Sequence, residues 1–223
     1  MRGKFTKYLP NFWQKVQMNA GILVSGFDPE DLSYTGILGA TGDGTTFNPN
    51  PTFVDFGADI DNVPPNTKQL KRIQYYDPAL SGTFRTISQA LGAMLCPGTE
   101  DGGVITPADM LTDAMFQDVT LIADYSDINA DDTSSGAVAG CMAVTVKNAL
   151  NTSGFQWKTN KDGKGEFAFD FHGHYDLNSP DEPPFDLYIM EPTRPAATNS
   201  GGETTGGTEQ TGGETTGGET GNG

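Results

Sequence analysis

The chain has 223 residues, of which 35% are hydrophobic, and a formal net charge of −16. That length supports one sizeable core. The acidity argues against a protein that grips nucleic-acid phosphates and against an anionic membrane surface as partner, because both need basic patches.

Residues 1–15 contain Arg2, Lys4 and Lys7, then Pro10, Phe12 and Trp13. No continuous apolar run succeeds the basic residues, so no signal peptide is expected and the segment reads as an N-terminal arm. Gln17 to Ser25 is a short apolar run that stops before Phe27-Asp28-Pro29, as a strand would. Residues 39–52 are rich in Gly, Thr, Asn and Pro and read as a loop. Thr52 to Asp59 suits a strand with Phe53 and Phe56 as its large apolar residues, and the stretch Asn62 to Thr67, with Pro64-Pro65, breaks it. In Leu70 to Tyr76 the residues Leu70, Arg72 and Gln74 share one face and Lys71, Ile73 and Tyr75 the other. Both faces are mixed, which fits a strand exposed to partners or to a lumen better than one half-buried in a core.

Gly82 to Ile87 continues as strand. The period then changes: Ala90, Leu91, Met94 and Leu95 mark the buried face of a helix, with Ser88 as N-cap and Pro97-Gly98 as the stop. Thr106-Pro107-Ala108-Asp109 has the form of a helix start. Because Phe116 to Tyr125 is strand-like, the expectation is a single turn and then a strand. Asp127 to Gly136 reads as a polar turn and Ala137 to Ala149 as a β-branched strand. Thr152 to Lys158 and Glu166 to Tyr175 flank Lys161-Asp162-Gly163-Lys164, a hairpin signal. Phe167, Phe169 and Phe171 alternate cleanly with Glu166, Ala168, Asp170 and His172. Phe185 to Met190 is a last short strand. Eight or nine strands and one helix place the chain in the mainly β class, a sandwich or barrel with one flanking α-helix.

Residues 198–223 comprise 10 Gly, 8 Thr and 4 Glu among 26 positions, with nothing apolar. Such a stretch cannot offset its own ordering entropy and is expected to be a disordered tail, 196–223, beyond a β domain of 16–195. Its four glutamates account for −4 of the charge and leave −12 for the rest. No stretch is long and apolar enough for a membrane-crossing helix, and no membrane partner is expected.

Chemistry-bearing patterns are few. His172 and His174, two apart on a strand, could begin a metal site, but the chain holds no other histidine, and packed or edge histidines are the default. Asp127-x-Asn129-x-Asp131 starts like a calcium loop, yet Asp132 and Val138 stand where Gly and Glu are needed. Gly36 to Gly44 is glycine-rich without the Lys-Ser/Thr of a phosphate loop. Cys96 and Cys141, the only cysteines, sit among apolar neighbours and read as buried free thiols, with a disulfide as the alternative. No catalytic, cofactor-binding or metal residue is assigned, and no enzyme is expected.

Several segments in order resemble one family. They are Met18 to Val24 with Phe27-Asp28-Pro29; Asn50 to Asn62 with Asn66 to Lys71; Leu80 to Phe84 and the short helix; Lys147 to Phe155; Gly165-Glu166-Phe167; Gly173-His174-Tyr175; and Pro184-Phe185 with Tyr188-Ile189. Together, over about residues 16–191, they are similar to the major tail tube proteins of long-tailed bacteriophages. The resemblance implies a β-sandwich or barrel that forms hexameric rings stacked into a hollow tube, locked by loops and the N-terminal arm. It implies as partners copies of the same chain, a tape measure protein inside the tube, tail terminator and distal tail or baseplate proteins, and DNA that passes without specific binding. It places the protein in the virion tail, assembled in the host bacterial cytoplasm. Related alternatives are a tube or adaptor ring of a contractile system and, further off, a carbohydrate-binding sandwich using Trp157, Tyr175 and Tyr188. The repeats Gly201 to Gly207 and Gly212 to Gly218 would project outside such a tube, with solubility, spacing, glycan attachment or no role open to them.

Overall fold

Where apolar residues alternate, strands form, and their alternating faces meet in two layers. The computed structural model describes residues 16–17, 19–125, 140–161 and 163–191. Among them are thirteen strands and one α-helix. One layer runs β2 (Gly36–Gly39), β1 (Ile22–Ser25), β9 (Gln117–Asp124), β10 (Cys141–Asn151) and β13 (Phe185–Met190), all antiparallel. The other runs β3 (Thr41–Asn48), β6 (Ala79–Phe84) and β12 (Glu166–His172), with β11 (Gln156–Lys158) beside the start of β12.

Strand β10 belongs to both layers. Its first half pairs with β9 and β13, while Leu150 and Asn151 pair with His172 and Phe171 of β12. The register with β9 shifts between Val146 and Ala149, and Asn148 there has φ +48°. Such a bulge turns a strand from one sheet into the next, and Asn tolerates the left-handed backbone better than most residues.

The core lies between the layers. Leu23, Val119, Val146 and Ala149 come from the first, Leu80, Phe84, Phe169 and Phe171 from the second, and all are buried. Each large side chain buried in this way contributes roughly 1.5–3 kcal/mol. Helix α1 (Gln89–Leu95) adds Leu91 and Leu95 to the same cluster. The Ser88 hydroxyl accepts the Leu91 N–H at 3.1 Å, the N-cap that the sequence predicts.

The strand count exceeds the eight or nine expected, for identifiable reasons. Residues 39–52 are not a loop: they form the end of β2, all of β3 and the start of β4 (Pro51–Asp55). Pairing with β6 holds β3 in place through its backbone, and Asp43 and Gly44 absorb a bulge at φ +61° and +82°. Composition reported this bulge as looseness. The segment after the helix, expected to hold a turn, is a hairpin of β7 (Gly98–Asp101) and β8 (Val104–Pro107). Gly102 and Gly103, both at positive φ, form its two-residue turn. The single helical turn lies later, at Asp113–Met115. Strand β6 begins earlier than Gly82 and ends at Phe84. The hairpin predicted across residues 161–164 is β11–β12, with Lys158 opposite Glu166. The N-terminal arm, the Asp127 to Gly136 turn, Asp162 and the C-terminal tail lie outside the described residues.

Asn151 ties these parts together. Its Nδ2 donates to the carbonyls of Leu95 (2.7 Å) and Gly154 (2.9 Å), and its Oδ1 accepts from the Asp170 N–H (2.9 Å) and the Ser153 hydroxyl (3.1 Å). It is 3% exposed, so none of these bonds can be handed to water. Asn151→Asp sets carboxylate oxygens against two carbonyls and should cost about 3 kcal/mol in a denaturant melt. A loss under about 1 kcal/mol would show that this residue does not hold helix and sheet together.

Candidate assembly surface

Strand β4 and β5 (Lys71–Tyr76) pair only with each other, as a two-stranded ribbon outside both layers. Phe53 faces Ile73, Val54 faces Arg72 and Asp55 faces Lys71. Residues 71–75 are exposed throughout, so the ribbon is open on both sides. Phe53, Phe56, Ile60, Ile73 and Tyr75 are all exposed apolar residues, Phe56 at 63%. An isolated two-stranded ribbon is marginally stable in water, and among the described residues this one leaves much of its apolar surface exposed.

Its far end is closed by Asp55, whose carboxylate accepts the N–H groups of Gly57 and Asn66, each at 2.9 Å. These backbone bonds, with Lys71 nearby, hold the Asp55 carboxyl below its ordinary pKa. Lys71 also lies 5.3 Å over the Phe53 ring.

The root is fixed by β12 and its exit. Asn50 donates its side-chain amide to the Asp77 carbonyl at 3.0 Å, and the Asp77 N–H donates to the Asn50 carbonyl at 3.3 Å. The Tyr76 N–H donates to the Tyr175 hydroxyl at 2.9 Å, and the Tyr76 ring meets Phe185 edge-on at 5.2 Å. His172 Nδ1 lies 2.8 Å from the Asp77 carboxylate, with Nε2 3.5 Å from that of Asp170. Between β5 and residues 175–183 is a cleft of about 450 Å³ lined by Ile73, Tyr75, Tyr175, Pro180 and Pro183.

The two histidines therefore do not share a site. His172 staples the ribbon root, whereas His174, past the end of β12, puts Nδ1 3.0 Å from the Asn148 carbonyl and packs edge-on against Phe116. Among the described residues no group of three or more His, Cys, Asp or Glu is placed to hold a metal. Cys96 and Cys141 are free. Burial, with Asp124 adding to it, pushes the Cys141 thiol up, so it stays protonated and unreactive. Gly36 to Gly44 lies in β2 and β3, and the Asp127 pattern falls outside the described residues. Trp157, Tyr175 and Tyr188 pack on different neighbours, Phe167, the ribbon root and Phe27 respectively. No described helix is long and apolar enough to cross a membrane.

Charge is unevenly placed. Arg85 pairs with Asp43 and Glu166, Lys147 with Asp186 and Glu182, and Lys158 with Glu166. Lys68, Lys71 and Arg72 on the ribbon form no ion pair among the described residues. Opposite in character is the strip 98–114, which holds Glu100, Asp101, Asp109 and Asp113 and no Lys or Arg. Val104, Met110 and Leu111 on it are 64%, 80% and 53% exposed. The outer strands of both layers, β2, β13 and β3, present unpaired edges among the described residues. On β13, Leu187 and Ile189 share the core-facing side with Phe185 by register, yet both are more than half exposed.

None of these features was assigned from sequence as a site. The mixed faces of Leu70 to Tyr76 were the one signal, and they mark the ribbon. No family model matches the chain, and no curated protein is significantly similar to it.

The root carries a pH dependence. Burial alone pulls the His172 imidazole down, but the hydrogen bond and charge of Asp77, helped by Asp170, outweigh it and raise its pKa above the ordinary value. A raised folded pKa means the staple contributes fully below about pH 6.5 and is lost as pH rises through the higher folded value. Hydrogen exchange at Tyr76 and Asp77, corrected for intrinsic rates, should therefore speed up across that window. In His172→Gln the pH dependence should vanish. An unchanged profile in the variant would assign the effect elsewhere.

Proposed function

We propose that this chain is a structural subunit that assembles with its own copies into stacked hexameric rings, the tail tube of a long-tailed phage, through which DNA passes. The observation that carries this reading is the β4–β5 ribbon, with Phe53, Phe56, Ile73 and Tyr75 exposed among the described residues. A strand pair of that kind gains its stability from a neighbour. The open edges of β2, β3 and β13 support the same reading, since ring closure is a way to remove them.

The segments that carry the resemblance coincide with the elements that matter here. Asn50 to Lys71 makes most of the ribbon, Lys147 to Phe155 the corner of β10, and Gly173-His174-Tyr175 the ribbon root. The surplus of carboxylates suits a conduit that must not bind DNA. In this reading the subunit performs no catalysis and needs no cofactor. Its partners are its copies, a tape measure protein in the lumen, and terminator and distal tail proteins at the ends.

Negative-stain microscopy of the concentrated protein should show rings or tubes, and a strictly monomeric species in sedimentation would overturn the reading. Replacing residues 51–76 with a short turn should leave the thermal melt of the sandwich nearly unchanged, because β4 and β5 pair only with each other. Assembly should be lost in the same variant. Tubes formed without the ribbon would remove it from the assembly contact.

A further inference from the structure

Two exposed surfaces of this chain are complementary, and they differ in position as well as charge. The ribbon leaves the sandwich at the Ala79 end of β6. The turn between β7 and β8 sits at the other end, with Gly103 against Gln89 at the start of α1, beyond Phe84. Six residues of β6, about 20 Å of strand, separate that turn from the ribbon's level, while the other end of the strip, at Asp113, lies beside His174 and Tyr175. The strip runs from that turn back along α1, seated by Ile105, which approaches Gly92 so closely that a Cβ there would lie 2.7 Å from the Ile105 side chain.

Among the described residues the strip's acids form no ion pair. No Lys or Arg occurs between Arg85 and Lys147, and both of those are already paired. Of the described bases without an ion pair, Lys71 stands over Phe53 on the Ile73 side of the ribbon, Lys68 lies just before β5, and Arg72 is on the opposite side with Val54. The others, Lys161 and Lys164, flank the β11–β12 turn. Basic and apolar groups thus coincide on the ribbon as acidic and apolar groups coincide on the strip. Asp59 and Asp61 lie in the ribbon's distal loop, so its basic edge is β5 and the residues just before it.

We infer that the ribbon of one copy docks on the 98–114 strip of a second copy, with Phe53 and Ile73 against Val104, Met110 and Leu111. Lys71, on the Ile73 side of the strand, and Lys68 before it then face Glu100, Asp101 and Asp109 of that copy. Because the two surfaces are different, the contact is head-to-tail and repeats from copy to copy instead of closing in a symmetric dimer. Steering by opposite charges makes it weaken with salt. This inference rests on the self-assembly proposed above and specifies which surfaces meet.

The test is a charge exchange in the full chain, read as the concentration at which assemblies appear in sedimentation velocity. One variant carries Lys68→Glu and Lys71→Glu; a second carries Glu100→Lys, Asp101→Lys and Asp109→Lys; a third carries all five. The first two should each raise the threshold at least about tenfold, and the third should recover most of it. A combined variant as defective as either parent, in a background where the unaltered chain assembles, would overturn the pairing while leaving self-assembly standing. Failure of the unaltered chain to assemble would instead remove the function on which it rests. Should a reversed ribbon misfold by circular dichroism, Met110→Asp with Leu111→Asp serves in its place, since both side chains are exposed and lie outside any regular element. Assembly unaffected by that pair would equally overturn the docking.

Discussion

β10 must satisfy two sheets at once, and the position of every functional surface depends on how it turns between them. The turn is made at Asn148, whose N–H donates to the Asp118 carboxylate at 2.9 Å and whose side-chain amide donates to the His174 carbonyl at 3.2 Å. His174 returns a bond to the Asn148 carbonyl, and its N–H donates to the Lys147 carbonyl at 3.1 Å. The exit of β12 is thereby locked against the corner. Gly173 sits where a Cβ would meet the Pro184 carbonyl, Pro78 and Val146 within 2.7–2.9 Å, so the chain passes closely there and only glycine fits without rearrangement. With that passage fixed, His172 and Tyr175 reach the ribbon root from either side of it. The ribbon projects where the corner directs it.

Much of the sandwich was legible in the sequence because its determinants are local. Ser88 and the spacing of Leu91 and Leu95 specify α1 within a few residues, and Phe167, Phe169 and Phe171 specify one face of β12. The strands that escaped, β2, β3, β7 and β8, are held by backbone pairing, with glycines at positive φ in the β3 bulge and the β7–β8 turn. Such residues read as loops until their partners are known. The ribbon root escaped for a different reason: His172 and Asp77 are 95 residues apart, and nothing in either neighbourhood reports the other. The same holds for the strip 98–114, where exposure of Met110 and Leu111 depends on what the rest of the chain leaves uncovered. Periodicity reports burial in a regular element, not the lack of a cover over an irregular one.

Assembly of so acidic a chain faces an electrostatic constraint. A net charge of −16 repels copies from one another at long range and keeps isolated subunits soluble. Contact must then be won locally, by opposite charges within a Debye length of about 8–10 Å and by apolar area that excludes water. The bases available for this are few because Arg85, Lys147 and Lys158 are spent within the fold. Arg85 joins β3 to β12 through Asp43 and Glu166, and Lys147 ties β10 to β13 through Asp186. Those pairs steady the layers, whereas Lys68, Lys71 and Arg72 on the ribbon form no ion pair among the described residues.

The ribbon's weakness has a consequence for order of events. A two-stranded element gains little from folding alone, and its loop is held by bonds within itself: Asp55 accepts two N–H groups, and the Phe56 and Leu70 N–H groups donate to the Leu70 and Thr67 carbonyls. In the proposed assembly its apolar face gains cover from a neighbour, and the ordering cost is met at the moment of docking. On that reading a subunit joins a growing end, where a formed surface already waits, more readily than it joins another free subunit. Propagation is then favoured over nucleation, the kinetic pattern that gives few, long assemblies in place of many short ones. Thorough bracing of the root at Asn50, Tyr76 and Asp77 serves the same end. In the proposed assembly a fixed root limits the volume the ribbon can search, which lowers the cost of ordering it on a neighbour.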